Sequence, residues 1–231
     1  MEEVLISGKT SFKIEVPYKL IETGDAEKKP LIVYLHGFNQ NLEIFQNLVE
    51  EQMLSLNAYH LFIQAPYPIY NRRHTKKVEE WGRSWYLYDG EQDQFVRSLE
   101  LASEFVQKVI DDILNHIEVN RVAVFGYSMG GYLAGYFALS RWKHVNELVV
   151  VGGRIKTEVF EDREDRYDHL NVLALHGSKD DSVKSAPQKE CCDQLSDWGA
   201  KVTFKELEET HALSSLFLNE IKSWLLTLGY S

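Results

Sequence analysis

The chain is built from short apolar runs separated by longer amphipathic stretches. Runs rich in Val, Ile and Leu at 31–35, 60–64, 121–125, 147–151, 172–175 and 202–207 predict strands, the later ones buried on both faces, and 12–16 is expected to open the set. Between them, residues 94–117 place Phe95, Leu99, Ala102, Val106, Val109, Ile113 and Ile117 at steps of three or four, a continuous stripe on one long helix. Helices are also expected over 42–54, 130–140, 186–198 and 212–228, the last with Leu213, Leu216, Phe217, Trp224, Leu225 and Leu228 on its buried side. Strands that alternate with helices predict an α/β fold, a mostly parallel central sheet flanked by helices on both faces. No internal repeat, low-complexity tract or Ser/Gly linker interrupts the pattern, so residues 1–231 are expected to form a single domain.

The stretch 65–90 breaks the alternation. It carries Pro66 and Pro68, a basic cluster of Arg72, Arg73, Lys76 and Lys77, and then Trp81, Trp85, Tyr86 and Tyr88. Aromatics in a long excursion either line a site or anchor the excursion to the body of the domain. Trp85 and Tyr86 are candidate pocket residues, the basic cluster reads as a solvated face, and the excursion is also a candidate homodimer contact.

Composition narrows the functional classes. With 25 Lys+Arg against 35 Asp+Glu, the formal charge of −10 disfavours nucleic acid or an anionic membrane as partner. No apolar run reaches the roughly 20 residues that span a bilayer, and Met1-Glu2-Glu3-Val4-Leu5-Ile6-Ser7 has neither a basic region nor a long apolar stretch. The expectation is a cytoplasmic protein without membrane insertion. Cys191 and Cys192 are neighbours in a predicted helix, where adjacent side chains diverge, so one packed and one partly exposed thiol are expected rather than a disulfide or a metal site.

The chemistry concentrates where strand gives way to helix. Gly126-Tyr127-Ser128-Met129-Gly130 lies between the run 121–125 and the helix 130–140. A G-x-S-x-G turn in that context holds the serine at the tip, with glycines where backbone and side chains crowd. Ser128 is the candidate nucleophile. The plain alternative is a βα turn in which Ser128 merely caps a helix. The partners of Ser128 decide between these.

After the run 171–175 come His176-Gly177-Ser178-Lys179-Asp180-Asp181-Ser182-Val183, two acids at the carboxyl edge of the expected sheet. After 202–207, Glu208-Glu209-Thr210 leads to His211. Serine, acid and histidine thus stand in an order that permits nucleophilic catalysis. A hydroxyl is a poor nucleophile at neutral pH, so an imidazole must take its proton. His211 fits that role. A carboxylate on the far ring nitrogen fixes the tautomer and stabilises the imidazolium. Asp180 is preferred, with Asp181 as its rival, because Val183 is spaced to tuck the loop back. His36 and His176, each followed by glycine at a strand end, are expected to shape their turns, and the other histidines sit in polar or strand settings. Backbone N–H groups of Met129 and of Phe38, in His36-Gly37-Phe38-Asn39-Gln40, are candidates for an oxyanion site.

Together, His36-Gly37, Gly126-Tyr127-Ser128-Met129-Gly130, His176-Gly177-Ser178-Lys179-Asp180 and Thr210-His211 resemble the motif set of the α/β-hydrolase superfamily. The small size, the short interval between Val151 and Val172, and Arg83-Ser84-Trp85-Tyr86 before a long helix resemble the phospholipase/carboxylesterase branch, which includes acyl-protein thioesterases. That branch usually shows His-Gly-x-Gly-Asp at the oxyanion loop, whereas Phe38-Asn39-Gln40 follow Gly37 here. A dienelactone hydrolase would carry cysteine in place of Ser128. The resemblance implies an α/β-hydrolase fold without a large cap. It also implies a serine esterase acting on a small-molecule ester through an acyl-enzyme, with no metal or organic cofactor. A thioesterase, a peptidase or feruloyl-type esterase on the same residues, and a silent hydrolase-fold binding protein are the alternatives.

Overall fold

The structure is a computed structural model, and residues 8, 10, 13–73 and 76–230 are described. Its centre is a seven-stranded sheet of β1 (Tyr18–Glu22), β2 (Lys29–Leu35), β3 (Tyr59–Ile63), β6 (Val119–Tyr127), β7 (Glu147–Val151), β8 (Asn171–Gly177) and β9 (Lys201–Leu207). The strand order is β1-β3-β2-β6-β7-β8-β9. Only β1 runs antiparallel, against β3, and every other pairing is parallel. A small ribbon pairs β4 (Tyr67–Pro68) with β5 (Arg83–Ser84).

The period-two alternation of the inner strands supplies two cores. In β2, Leu31, Val33 and Leu35 face one side while Ile32 and Tyr34 face the other. The first side is covered by α2 (Gln92–Leu114), α3 (Met129–Ser140) and α4 (Ser185–Asp197), through Leu99, Val106, Leu133, Phe137 and Leu195 among others. The second is covered by α1 (Leu42–Met53) and α5 (Ser215–Thr227), through Phe45, Val49, Phe217 and Ile221. Each inner strand is therefore sealed on both faces, which is why its sequence reads as a continuous apolar run.

Two expectations need correction. The opening strand is not 12–16: Phe12 lies outside the described residues, Lys13 to Val16 are irregular, and the strand lies beyond Pro17 at Tyr18–Glu22. Phe-Lys-Ile-Glu-Val alternates more cleanly than Tyr-Lys-Leu-Ile-Glu, and an edge strand with one partner and no fully buried residue leaves only a weak pattern to read. Secondly, Cys191 and Cys192 are both buried, because α4 is wedged between the sheet and the segment around Ile155. Burial pushes the Cys192 thiol up to about 12, so it stays protonated. Among the described residues no helix is long and apolar enough to cross a membrane.

Candidate active site

Ser128 sits directly after β6, at the sheet's carboxyl edge, with φ 52° and ψ −117°. A non-glycine residue in this region is strained, and the surroundings hold it there. The Ser128 N–H donates to Val151 O at 2.8 Å, and Ser128 O accepts from Gly131 and Tyr132 of α3. The turn closes only because its flanks lack side chains. A Cβ on Gly126 would stand 2.1 Å from Gly130 O, and one on Gly130 would stand 2.0 Å from Leu35 O. Met129 is the first residue of α3, so its N–H has no carbonyl within the helix.

Asp180 and His211 arrive on adjacent strands. Asp180 follows β8 and His211 follows β9, and the two loops are zipped together by Ser178 N–H to Leu207 O at 2.7 Å and Lys179 N–H to Glu209 O at 2.9 Å. Asp180 Oδ2 lies 2.7 Å from His211 Nδ1, and His211 Nε2 lies 2.8 Å from Ser128 Oγ. With the ring proton on Nδ1 facing the carboxylate, Nε2 is left to accept from the serine hydroxyl. Asp180 Oδ1 accepts from the N–H groups of Ser182 and Val183, at 2.8 and 2.9 Å. Burial pushes the Asp180 carboxyl upward. The Val183, His211 and Ser182 hydrogen bonds outweigh it, so its pKa lies below the ordinary value and the group is a carboxylate at neutral pH. Asp181 points into solvent, 3.9 Å from Lys184 Nζ.

The remaining histidines at strand ends have other partners. His36 is buried, with Nδ1 2.8 Å from Gly37 O and Nε2 3.2 Å from Ala65 N. His176 Nε2 meets Val183 O at 2.8 Å and lies 3.6 Å from Asp180 Oδ2.

The 37–40 turn is held by contacts of its own residues. Asn39 adopts φ 61°, the left-handed region that asparagine tolerates better than most side chains. It stands where the His-Gly-x-Gly-Asp pattern has glycine. Gln40 stands where that pattern has aspartate, and its Oε1 accepts the Gly37 N–H at 2.8 Å. The Asn39 N–H donates to Arg83 O, and Phe38, with its side chain exposed, is left at the turn's tip.

Of the two expected pocket residues, the structure sets Trp85 elsewhere. Its ring is fully buried, lies tilted against His36 with centroids 5.0 Å apart, and donates Nε1–H to His36 O at 2.7 Å, so it anchors the excursion under the 37–40 turn. Tyr86 does reach a cavity of about 320 Å³, together with Tyr88, Phe95 and Tyr132. Sequence reasoning missed Tyr127, whose hydroxyl donates to His211 O and whose ring flanks the imidazole at 5.6 Å. An aromatic beside the serine was the available signal. The basic cluster is exposed, as expected of a solvated face, and Arg72, Arg73 and Lys76 border an open basin of about 460 Å³ with Trp81 and Asn39.

Comparison with known proteins fits this geometry. Residues 16–228 match the family described as Phospholipase/Carboxylesterase. The chain belongs to that family. As a member, it is 28% identical over 139 residues to the mouse "Lysophospholipase-like protein 1", a match spanning 58% of each chain. Among solved structures it superposes on the Bacillus cereus carboxylesterase with a TM-score of 0.72 at 16% identity, covering 92% of this chain and 94% of that one. It also superposes on Arabidopsis thaliana SOBER1, with a TM-score of 0.69 at 22% identity, covering 86% and 98%. At those identities the structural likeness establishes the α/β-hydrolase fold alone.

Proposed function

We propose that this phospholipase/carboxylesterase family member is a serine hydrolase that cleaves carboxylic esters through an acyl-enzyme. The observation that carries the reading is the unbroken line Ser128 Oγ–His211 Nε2 (2.8 Å) and His211 Nδ1–Asp180 Oδ2 (2.7 Å) at the carboxyl edge of the sheet. His211 takes the Ser128 proton as Oγ attacks the ester carbonyl carbon, and the imidazolium so formed is stabilised by the Asp180 carboxylate. Negative charge develops on the former carbonyl oxygen. The Met129 and Phe38 N–H groups are its donors, each worth roughly 3 kcal/mol in such sites. His211 then protonates the departing alkoxide, and water, activated by the same imidazole, hydrolyses the acyl-enzyme.

A silent binding protein of this fold is less well supported, because the histidine, its acid and its serine are all present in hydrogen-bonding register. Turnover of p-nitrophenyl acetate and butyrate tests the reading. The wild-type chain is expected to hydrolyse one or both, and Ser128→Ala to bring the rate to background. Equal rates for the two proteins would overturn it.

A further inference from the structure

The 320 Å³ cavity, which Tyr132 of α3 and Arg154 help to line, mixes aromatic rings with two cations. Tyr86, Tyr88, Phe95 and Tyr132 supply the rings, and Arg154 and Lys156 supply the charge. The backbone ties this wall to the serine: the Tyr132 N–H donates to Ser128 O at 3.2 Å, and Arg154 follows Gly153, where a Cβ would stand 3.0 Å from Ser128 O.

The charges in this wall are not balanced locally. One oxygen of Glu158, Oε1, serves both Lys156 Nζ at 2.7 Å and Arg154 Nη2 at 3.1 Å. Lys156, only 6% exposed, otherwise turns to Gln92 Oε1 at 2.9 Å and to the Phe95 ring, 5.4 Å from its centroid. Neither supplies negative charge. Arg154 is part-exposed in the cavity wall, and besides Glu158 its side chain meets the Cys191 thiol, which is neutral when protonated. Two cations thus share one carboxylate oxygen, and the guanidinium fork matches a further carboxylate or phosphate. At about 320 Å³ the cavity lies at the small end of ligand pockets, enough for a short chain and a terminal group.

We propose that this cavity binds an anionic group carried by the ester substrate, held by Arg154 and Lys156, with the apolar segment leading to the ester lying among Tyr86, Phe95 and Tyr132. The proposal rests on Ser128 being the nucleophile. The anion is either a carboxylate at the far end of the acyl chain or a phosphate on the alcohol, and two matched pairs of esters separate these sources. On the acyl side, the 4-nitrophenyl half-ester of adipic acid is compared with 4-nitrophenyl hexanoate. On the alcohol side, the monobutyrate of glycerol phosphate is compared with monobutyrin, following released acid.

The anionic member of one pair is expected to show the higher kcat/KM, mainly through KM, and that pair identifies the source. Arg154→Gln should cut this preference roughly tenfold, the loss expected for a charge-assisted hydrogen bond. Arg154→Lys should retain part of it. In the wild type, which needs no variant to fold, the preference should shrink as ionic strength rises. Thermal unfolding of both variants shows that they are folded. No anionic preference in either pair, or a preference unaltered in folded Arg154→Gln, would overturn the proposal while Ser128-dependent turnover of the neutral esters left the hydrolase reading standing. Hydrolysis of none of the four esters by the wild type would remove both.

Discussion

At the scale of single residues, the site is a problem of proton placement. In the proposed reaction His211 needs the tautomer that leaves Nε2 free for Ser128, and the Asp180 carboxylate opposite Nδ1 favours it. Asp180 is in turn kept ionised by two backbone N–H groups, which its neighbour Asp181 lacks. Replacing Asp180 with asparagine removes the charge and inverts the tautomer preference. Asp180→Asn should lower kcat by about 10⁴-fold, the scale seen when such a carboxylate is neutralised. Asp181→Asn should leave kcat near the wild-type value. Steady-state kinetics of the two variants on one p-nitrophenyl ester compares them directly, and the reverse order would assign the acid to Asp181. The sequence favours Asp180 from its spacing to Val183, and the Val183 N–H donates to Asp180 Oδ1. Arg154 carried no comparable signal, because its role depends on which loops meet across the sheet edge.

At the scale of elements, the 37–40 turn is set by three residues that each hold part of its backbone path. Asn39 supplies the left-handed residue, Gln40 supplies a side-chain acceptor, and buried Trp85 holds the turn from beneath through His36 O. Asn39→Ala should destabilise the protein by about 1–2 kcal/mol, the cost of left-handed backbone for an L-residue with a Cβ and no compensating side-chain hydrogen bond. It should also slow turnover, since the Phe38 N–H rides on the same turn. Asn39→Gly should preserve both. Calorimetric melting and kcat on the two variants provide the check, and equal behaviour would show that the turn is set by its neighbours instead. The long stripe of α2 and the runs of β2, β6, β7 and β8 were legible because each is sealed by the core on a fixed period. The β4–β5 ribbon was not, since two residues per strand leave no period to read. Trp85 was misjudged for a related reason: an aromatic in an excursion reads alike whether it lines a cavity or fills the space beneath one.

At the scale of the molecule, burial couples the fold to pH through histidine. His36 and His60 both have pKa values lowered by burial to about 4. His60 sits between Thr23 and Tyr34 on the α1–α5 side, with 2.9 and 2.8 Å contacts. In the unfolded chain each would titrate near 6.5. Below about pH 6.5 the unfolded state therefore binds more protons than the native state, and folding stability falls as pH is lowered through that window towards about 4. The depressed Asp180 pKa adds its own loss further down, as pH passes below the ordinary carboxylate value. Urea unfolding across this range should show stability constant near neutrality and declining once the medium is acidic enough to charge histidine in the unfolded chain. A flat profile down to the carboxylate range would contradict buried neutral imidazoles at both positions.

These scales meet at Ser128, held in strained backbone at the junction of β6 and α3 and facing an imidazole that is itself held by a carboxylate. The most direct test is labelling of the folded protein with a fluorophosphonate, followed by mass spectrometry of its peptides. The account predicts one phosphonate adduct, on Ser128, formed rapidly by the wild type and abolished in Ser128→Ala. A folded wild-type chain that takes up no label, or takes it up on another residue, would contradict it.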